Sequence, residues 1–162
     1  MSLLKSIARI DETYNRASTN DFLTYEDCIA ICIKCLAESA RLLTLMNISI
    51  VDESGKQKFF FKEAGAWDGS IDIAEGKAYT AFAFSGDKDK QGPLTTETLG
   101  TLAQPGKPLY GIQNTNPSRP IVIFGGGIPL YKNDKLIGAL GISGSTVEHD
   151  IKVCTRGAEG FI

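Results

Sequence analysis

Apolar residues recur along this chain at two spacings, and the switches between them outline the fold. Tyr25, Ile29, Cys32, Leu36 and Leu43 fall three, four or seven apart, which predicts a helix from Leu23 to Leu43 with one stripe facing a sheet. Thr24 and Asp27 have the spacing of a capping box, and Leu23 and Cys28 that of the hydrophobic staple across it. The β-branched run Asn47–Val51, the turn residues Asp52-Glu53-Ser54-Gly55 and the aromatic run Gln57–Phe61 predict a hairpin.

A second helix is expected over Ser70–Phe84, with Ile71, Ala74, Ala78 and Ala81 as a stripe of small residues that allows close approach. Ser85–Pro93 reads as an exposed loop and Thr95–Ala103 as a short helix ended by Pro105-Gly106. Pro108–Gln113 is expected as an edge strand, and the wholly apolar Ile121–Phe124 as a buried one. Ile128–Tyr131 and Leu136–Ser143 form a hairpin about Lys132-Asn133-Asp134-Lys135. A last helix starts at Ser145, with Glu148 as capping partner and Val147, Ile151, Cys154 and Ala158 as its stripe. Strands and helices do not alternate as βαβα units and no internal repeat occurs. The expected class is therefore α+β, an antiparallel sheet flanked by helices.

A length of 162 residues fits one domain. With 43% hydrophobic and 22% charged residues the chain is expected to fold. A net charge of -2 gives no basic face for nucleic acid. No apolar run is long enough to span a membrane, and Met1–Arg16 lacks the apolar core of a signal peptide, so a cytoplasmic location is expected. Leu3, Leu4, Ile7 and Ile10 give residues 1–22 the pattern of a helical arm preceding the 23–162 domain. Cys28, Cys32 and Cys35 fall near one helix face among apolar residues. They lack paired CxxC spacing, which favours reduced core thiols over metal ligands.

Three stretches together resemble the GlcG/HbpS-like family, also called haem-degrading and found as the C-terminal domain of PduO-type proteins. They are SIDIAEGKAYTA (Ser70–Ala81), the run from Gln104 to Gly144 containing QPGKPLYGIQ and IVIFGGGIPLYKNDKLIGALGISG, and STVEHD (Ser145–Asp150). The resemblance runs from about Leu23 to the C-terminus. It implies a profilin-like sheet of five antiparallel strands, homo-oligomeric assembly, and haem or another tetrapyrrole as a ligand. His149 departs from the family's usual glutamine, and residues before Leu23 stand outside the shared domain.

Lys77 is the most informative candidate. It lies at helical spacing with Ile73, Thr80 and Phe84 on an apolar or small face. A lysine there either extends its head to water or meets an anion. Asp72 and Glu75 are candidate partners; the resemblance adds a ligand carboxylate or haem propionate. Gly125, Gly126 and Gly127 present either an anion-binding nest of amides or a bend where another backbone approaches closely. His149, the single histidine, lies about 160–200° from its helix's apolar stripe at 100° per residue, so it is expected at the surface or at a subunit interface. Glu148, His149 and Asp150 point in different directions and do not make one metal site.

The leading expectation is a pocket between the Lys77 helix, the glycine bend and the start of the last helix, lined by Lys77, Asp72, Gly125, Gly126, Gly127, Glu148 and His149. It would take a small anionic molecule. A small enzyme using Lys77, acting on haem or a carboxylated metabolite, and a structural homo-oligomeric adaptor are the alternatives.

Overall fold

The computed structural model describes residues 22–162. The expected N-terminal arm, apart from Phe22, lies outside them. Four antiparallel strands, β1 (Asn47–Val51), β2 (Gln57–Lys62), β3 (Gly127–Lys132) and β4 (Lys135–Ser143), form one sheet in the order β2-β1-β4-β3. Helices α1 (Tyr25–Arg41) and α4 (Val147–Ala158) cover one face. Helix α2 (Ser70–Ala83) lies across the other, with the short α3 (Thr96–Leu102) beside it.

Both hairpins follow from local turn chemistry. Asp52 accepts hydrogen bonds from the amides of Ser54 and Lys56, closing the β1–β2 turn. Asn133 and Asp134 both adopt positive φ, 49° and 62°, as a two-residue turn between right-twisting strands requires. The capping box of α1 forms as expected, with Asp27 accepting from the Thr24 amide at 2.7 Å and Thr24 from the Asp27 amide at 3.1 Å. Asp27 also pairs with Lys132 at 2.6 Å, tying the helix start to β3.

Side chains on β1 alternate between two environments. Ile48 and Ile50 join the main core with Cys28, Ile31, Cys35, Leu140, Ile142, Val153 and Cys154. Ser49 and Val51 face the α2 side, where Val51 packs with Ala78, Ala81 and Ala139. The small stripe of α2 has the expected purpose: a Cβ on Gly141 would stand 2.1 Å from the Ala74 carbonyl oxygen. Helix and strand therefore meet backbone to backbone.

Several expectations need correction. The sheet has four strands, not five. Residues 108–111 form turns leading into a 3₁₀ turn, Ile112–Asn114, after Gly111 takes φ 88°; a proline and a left-handed glycine break the ladder an edge strand needs. Residues 121–124 lie outside the sheet: the Val122 amide bonds to the Thr80 hydroxyl at 3.0 Å, and Phe124 is exposed.

The buried face of α1 centres on Cys28, Ile31, Cys32, Cys35 and Ser39, leaving Tyr25 and Leu43 exposed. That face is rotated by about 70° from the predicted stripe at 100° per residue, because α1 packs on α4 as well as on the sheet. On α4 the buried residues are Asp150, Val153, Cys154, Gly157 and Ala158, with Val147 exposed, and its cap is Thr146 rather than Ser145.

Candidate functional site

Lys77 projects from the middle of α2 into the interior and is 0% exposed. Its ammonium donates to Asp150 Oδ2 at 2.6 Å and to the Ile142 carbonyl at 2.9 Å, and lies 4.8 Å from the centre of the Phe124 ring. The counter-charge thus comes from α4, not from Asp72 or Glu75. Asp150 turns its other oxygen to the amides of Gly144 and Ser145, each at 3.2 Å. Burial pushes both groups toward their neutral forms, lowering the Lys77 pKa and raising that of Asp150, while each partner's charge opposes the shift.

The glycine run makes this pair possible. Gly126 has φ 113°, and a Cβ there would stand 2.8 Å from both the Lys77 ammonium and the Ile142 carbonyl oxygen. A Cβ on Gly127 would lie 2.5 Å from the Lys77 carbonyl oxygen, and one on Gly125 2.5 Å from Ile151. The close-approach reading of the bend accounts for all three positions. Lys77, Gly126, Gly127 and Asp150 are brought together, with the Lys77 ammonium enclosed between Asp150, the Ile142 carbonyl and the Phe124 ring.

The remaining candidates lie elsewhere. Asp72 is exposed on the opposite side of α2 in a separate cleft. Glu148 pairs with Lys152 at 2.7 Å on the exposed face of α4 and takes no part in capping, which Thr146 performs through the His149 amide. His149 is half-buried rather than turned to solvent. The buried face of α4 is rotated toward it by about 60° relative to the predicted stripe, at 100° per residue. The Ser145 hydroxyl lies 3.2 Å from His149 Nδ1.

A continuous set of contacts therefore runs from Lys77 through Asp150 to the Gly144–Ser145 turn and on to His149. That turn borders a surface cleft of about 250 Å³ at the end of the sheet where β1 begins and β2 and β4 finish. Leu43, Leu45, Ala66 and Trp67 line it, and Leu43 and Trp67 are 93% and 67% exposed. Glu63 braces the same corner, accepting from the Ser39 hydroxyl at 2.6 Å and the Met46 amide at 3.1 Å. Sequence reasoning missed Asp150 as the partner of Lys77 and missed this cleft altogether. The exposed Leu43 and Leu45 beside a lone Trp67 were its available signal.

The four cysteines are buried free thiols on α1 and α4. Burial raises the pKa of Cys28 and Cys32 to about 11 and pushes Cys35 and Cys154 upward as well.

Architecture and glycine bend define a small α+β domain organised around one buried lysine–aspartate pair. The chain belongs to the HbpS-like family: the family model described as haem degrading protein HbpS-like matches residues 23–159. It is 45% identical over 102 residues to an uncharacterized 15.0 kDa protein from the dhaT–dhaS intergenic region of Citrobacter freundii, covering 63% of this chain and 66% of that one. It is 29% identical over 147 residues to the corrinoid adenosyltransferase PduO of Salmonella typhimurium, covering 91% of this chain but 41% of that enzyme.

Among solved structures, the Klebsiella pneumoniae protein ORFY superposes with a TM-score of 0.76 at 29% identity, covering 88% of this chain and 92% of that one. The PduOC–heme complex superposes with a TM-score of 0.73 at 28% identity, covering 85% and 93%. Among the described residues no helix is long and apolar enough to cross a membrane.

Proposed function

We propose that this chain is a ligand-binding domain that accepts haem, or a related anionic tetrapyrrole, on the face formed by Leu43, Leu45, Trp67 and His149. The observation that carries the reading is its likeness, at 28% identity and over 85% of the chain, to a structure in complex with heme.

The residues on this face fit such a group. An imidazole beside apolar surface is one group that would hold a haem iron. His149 is the single imidazole, and Ser145, on the rim of the apolar cleft, engages its Nδ1. His149 would hold the iron there, with the Ser145 hydroxyl orienting its ring. Leu43, Leu45 and Trp67 would cover the macrocycle, and bound haem would supply a redox-active iron there. Lys77 and Asp150 act as positioning residues, holding the turn that carries Ser145. Gly125, Gly126 and Gly127 let that pair form, and Glu148 stands at the outer rim.

A cleft of about 250 Å³ is smaller than most ligand pockets, which run from roughly 300 to 1,000 Å³. One chain would enclose a tetrapyrrole only in part, so a second copy completing the site is part of the proposal. The enzymatic alternative with Lys77 as an electrophile or acid–base group has less support, because that ammonium is buried and committed to Asp150 and Ile142.

Titration with haemin, followed by absorbance, tests the reading. A Soret shift saturating near one haem per chain is expected, and His149→Ala should lose or displace it. No shift with the wild type, or identical titrations for wild type and His149→Ala, would overturn the assignment. Light scattering tests assembly: a mass at a multiple of 17.5 kDa is expected, and 17.5 kDa across micromolar concentrations would refute self-association.

A further inference from the structure

A second cleft, of about 300 Å³, lies on the other face of the sheet between β1, β2, α2 and residues 118–120. It shares no lining residue with the His149 face. Its lining joins both signs of charge: Asp72 and Glu75 from α2 and Arg119 from the loop. The arrangement is built rather than incidental. The Arg119 guanidinium stacks 3.9 Å from the centre of the Tyr79 ring and donates to the Gly55 carbonyl at 2.8 Å. Asn116 Oδ1 accepts from the Ser118 and Arg119 amides, each at 3.1 Å, and so shapes the loop that delivers the arginine. Glu75 is oriented by Gln57, whose side-chain amide donates to it at 2.8 Å.

Ser49 lines this cleft from β1. The residue is 1% exposed, and its hydroxyl has no hydrogen-bond partner among the described residues. A buried polar group without a partner is costly, and each one in a native protein calls for an explanation, a bound molecule among them. Val51, two residues on, lines the same cleft, as strand alternation requires for side chains on one face.

We infer that this cleft binds a small zwitterion of the amino-acid type. Its carboxylate would meet the stacked guanidinium of Arg119, its ammonium would meet Glu75 and Asp72, and the Ser49 hydroxyl would gain its missing partner. Planar guanidinium suits a carboxylate, and the two acids on one helix, three residues apart, suit a compact cation. The volume lies at the lower end of the range for small-molecule sites.

The test is calorimetric titration with each common L-amino acid, and with propionate and propylamine as one-ended controls. At least one amino acid should bind more tightly than either control. Arg119→Gln and Glu75→Gln should each weaken it about tenfold or more, the loss expected for a charged partner. Arg119→Lys, which keeps the charge but not the stacked fork, should fall between them and the wild type. Ser49→Ala should weaken binding severalfold yet raise the ligand-free melting temperature by about 2 °C or more, since it removes an unpaired buried hydroxyl. Absence of binding by every amino acid at about 10 mM (roughly 2.7 kcal/mol by the affinity relation) would overturn the inference. So would controls that bind as well as the zwitterion, or unchanged affinity in Arg119→Gln and Glu75→Gln. None of these outcomes depends on haem binding at the other face.

Discussion

Replacing Lys77 by methionine keeps the apolar stem and removes the charge paired with Asp150. Asp150 is left with the Gly144 and Ser145 amides, both at 3.2 Å, in a site where its side chain is 3% exposed. Breaking a buried pair from one side costs about 3–5 kcal/mol. A ceiling follows from proton uptake. The variant can always neutralise Asp150, and at pH 7 that costs about 4.4 kcal/mol for a carboxyl with an ordinary pKa of 3.8. The Ile142 carbonyl also loses a donor, worth about 1 kcal/mol.

The expected loss at pH 7 is therefore about 3–5 kcal/mol, or a fall of roughly 6–20 °C in melting temperature for a domain of this size. Lysine also helps hold the Asp150 pKa down, so its loss raises that pKa further above 3.8. Between the two values the folded variant holds a proton that the unfolded chain lacks, so its stability rises as pH falls. The gap to wild type should narrow between pH 7 and pH 5, by at most about 1.4 kcal/mol per pH unit. Lys77→Met/Asp150→Asn, in which a neutral amide still accepts from the turn, should recover most of the loss. Chemical denaturation of the three proteins at pH 5, 6 and 7 measures this. A Lys77→Met variant within about 0.5 kcal/mol of wild type at pH 7, or a gap that does not narrow at pH 5, would refute the buried-pair reading.

Two further outcomes follow from the same packing. The four cysteines should not react with a thiol reagent in the native protein at pH 7 and should all react in denaturant; because their folded pKa values are raised from 9.0, to about 11 for Cys28 and Cys32, unfolded thiols ionise first and stability should fall as pH rises above 9. Gly126→Ala should cost about 2–4 kcal/mol, combining backbone strain at φ 113° with a Cβ 2.8 Å from the Lys77 ammonium, whereas Gly92→Ala, at φ 74° in open space, should cost only about 1 kcal/mol; equal losses in denaturant melts would remove the steric argument.

Features fixed by neighbours in sequence were legible. The α1 capping box, the two hairpin turns and the small-residue stripe of α2 each depend on residues within a few positions of one another. The failures share a different cause. Residues 121–124 have the composition of a buried strand, but a strand needs a neighbouring strand to pair with, and among the described residues the Val122 amide bonds instead to the Thr80 hydroxyl on a helix. The stripes of α1 and α4 were each displaced because the two helices pack on one another as well as on the sheet, so a single-sheet template misjudged the buried arc.

The candidate site divides along the same line. A lysine among Ile73, Thr80 and Phe84 demands an anion, and that demand was readable from the α2 sequence. Its answer, Asp150, stands 73 residues away, and nothing in local spacing selects it over Asp72 or Glu75, which share the helix. Helix geometry nevertheless contained the reason. A residue whose ammonium reaches the Ile142 carbonyl on β4 points toward the sheet, whereas Asp72 is exposed and Glu75 turns to Gln57 on β2. The three acids therefore separate by direction. Asp150 neutralises the interior and, through its second oxygen, fixes the turn beside His149. Asp72 and Glu75 remain at the other cleft, with Arg119 across from them and an unpaired Ser49 hydroxyl beneath. The buried pair thus frees the two surface carboxylates from any duty to Lys77, and their charge is available to a ligand.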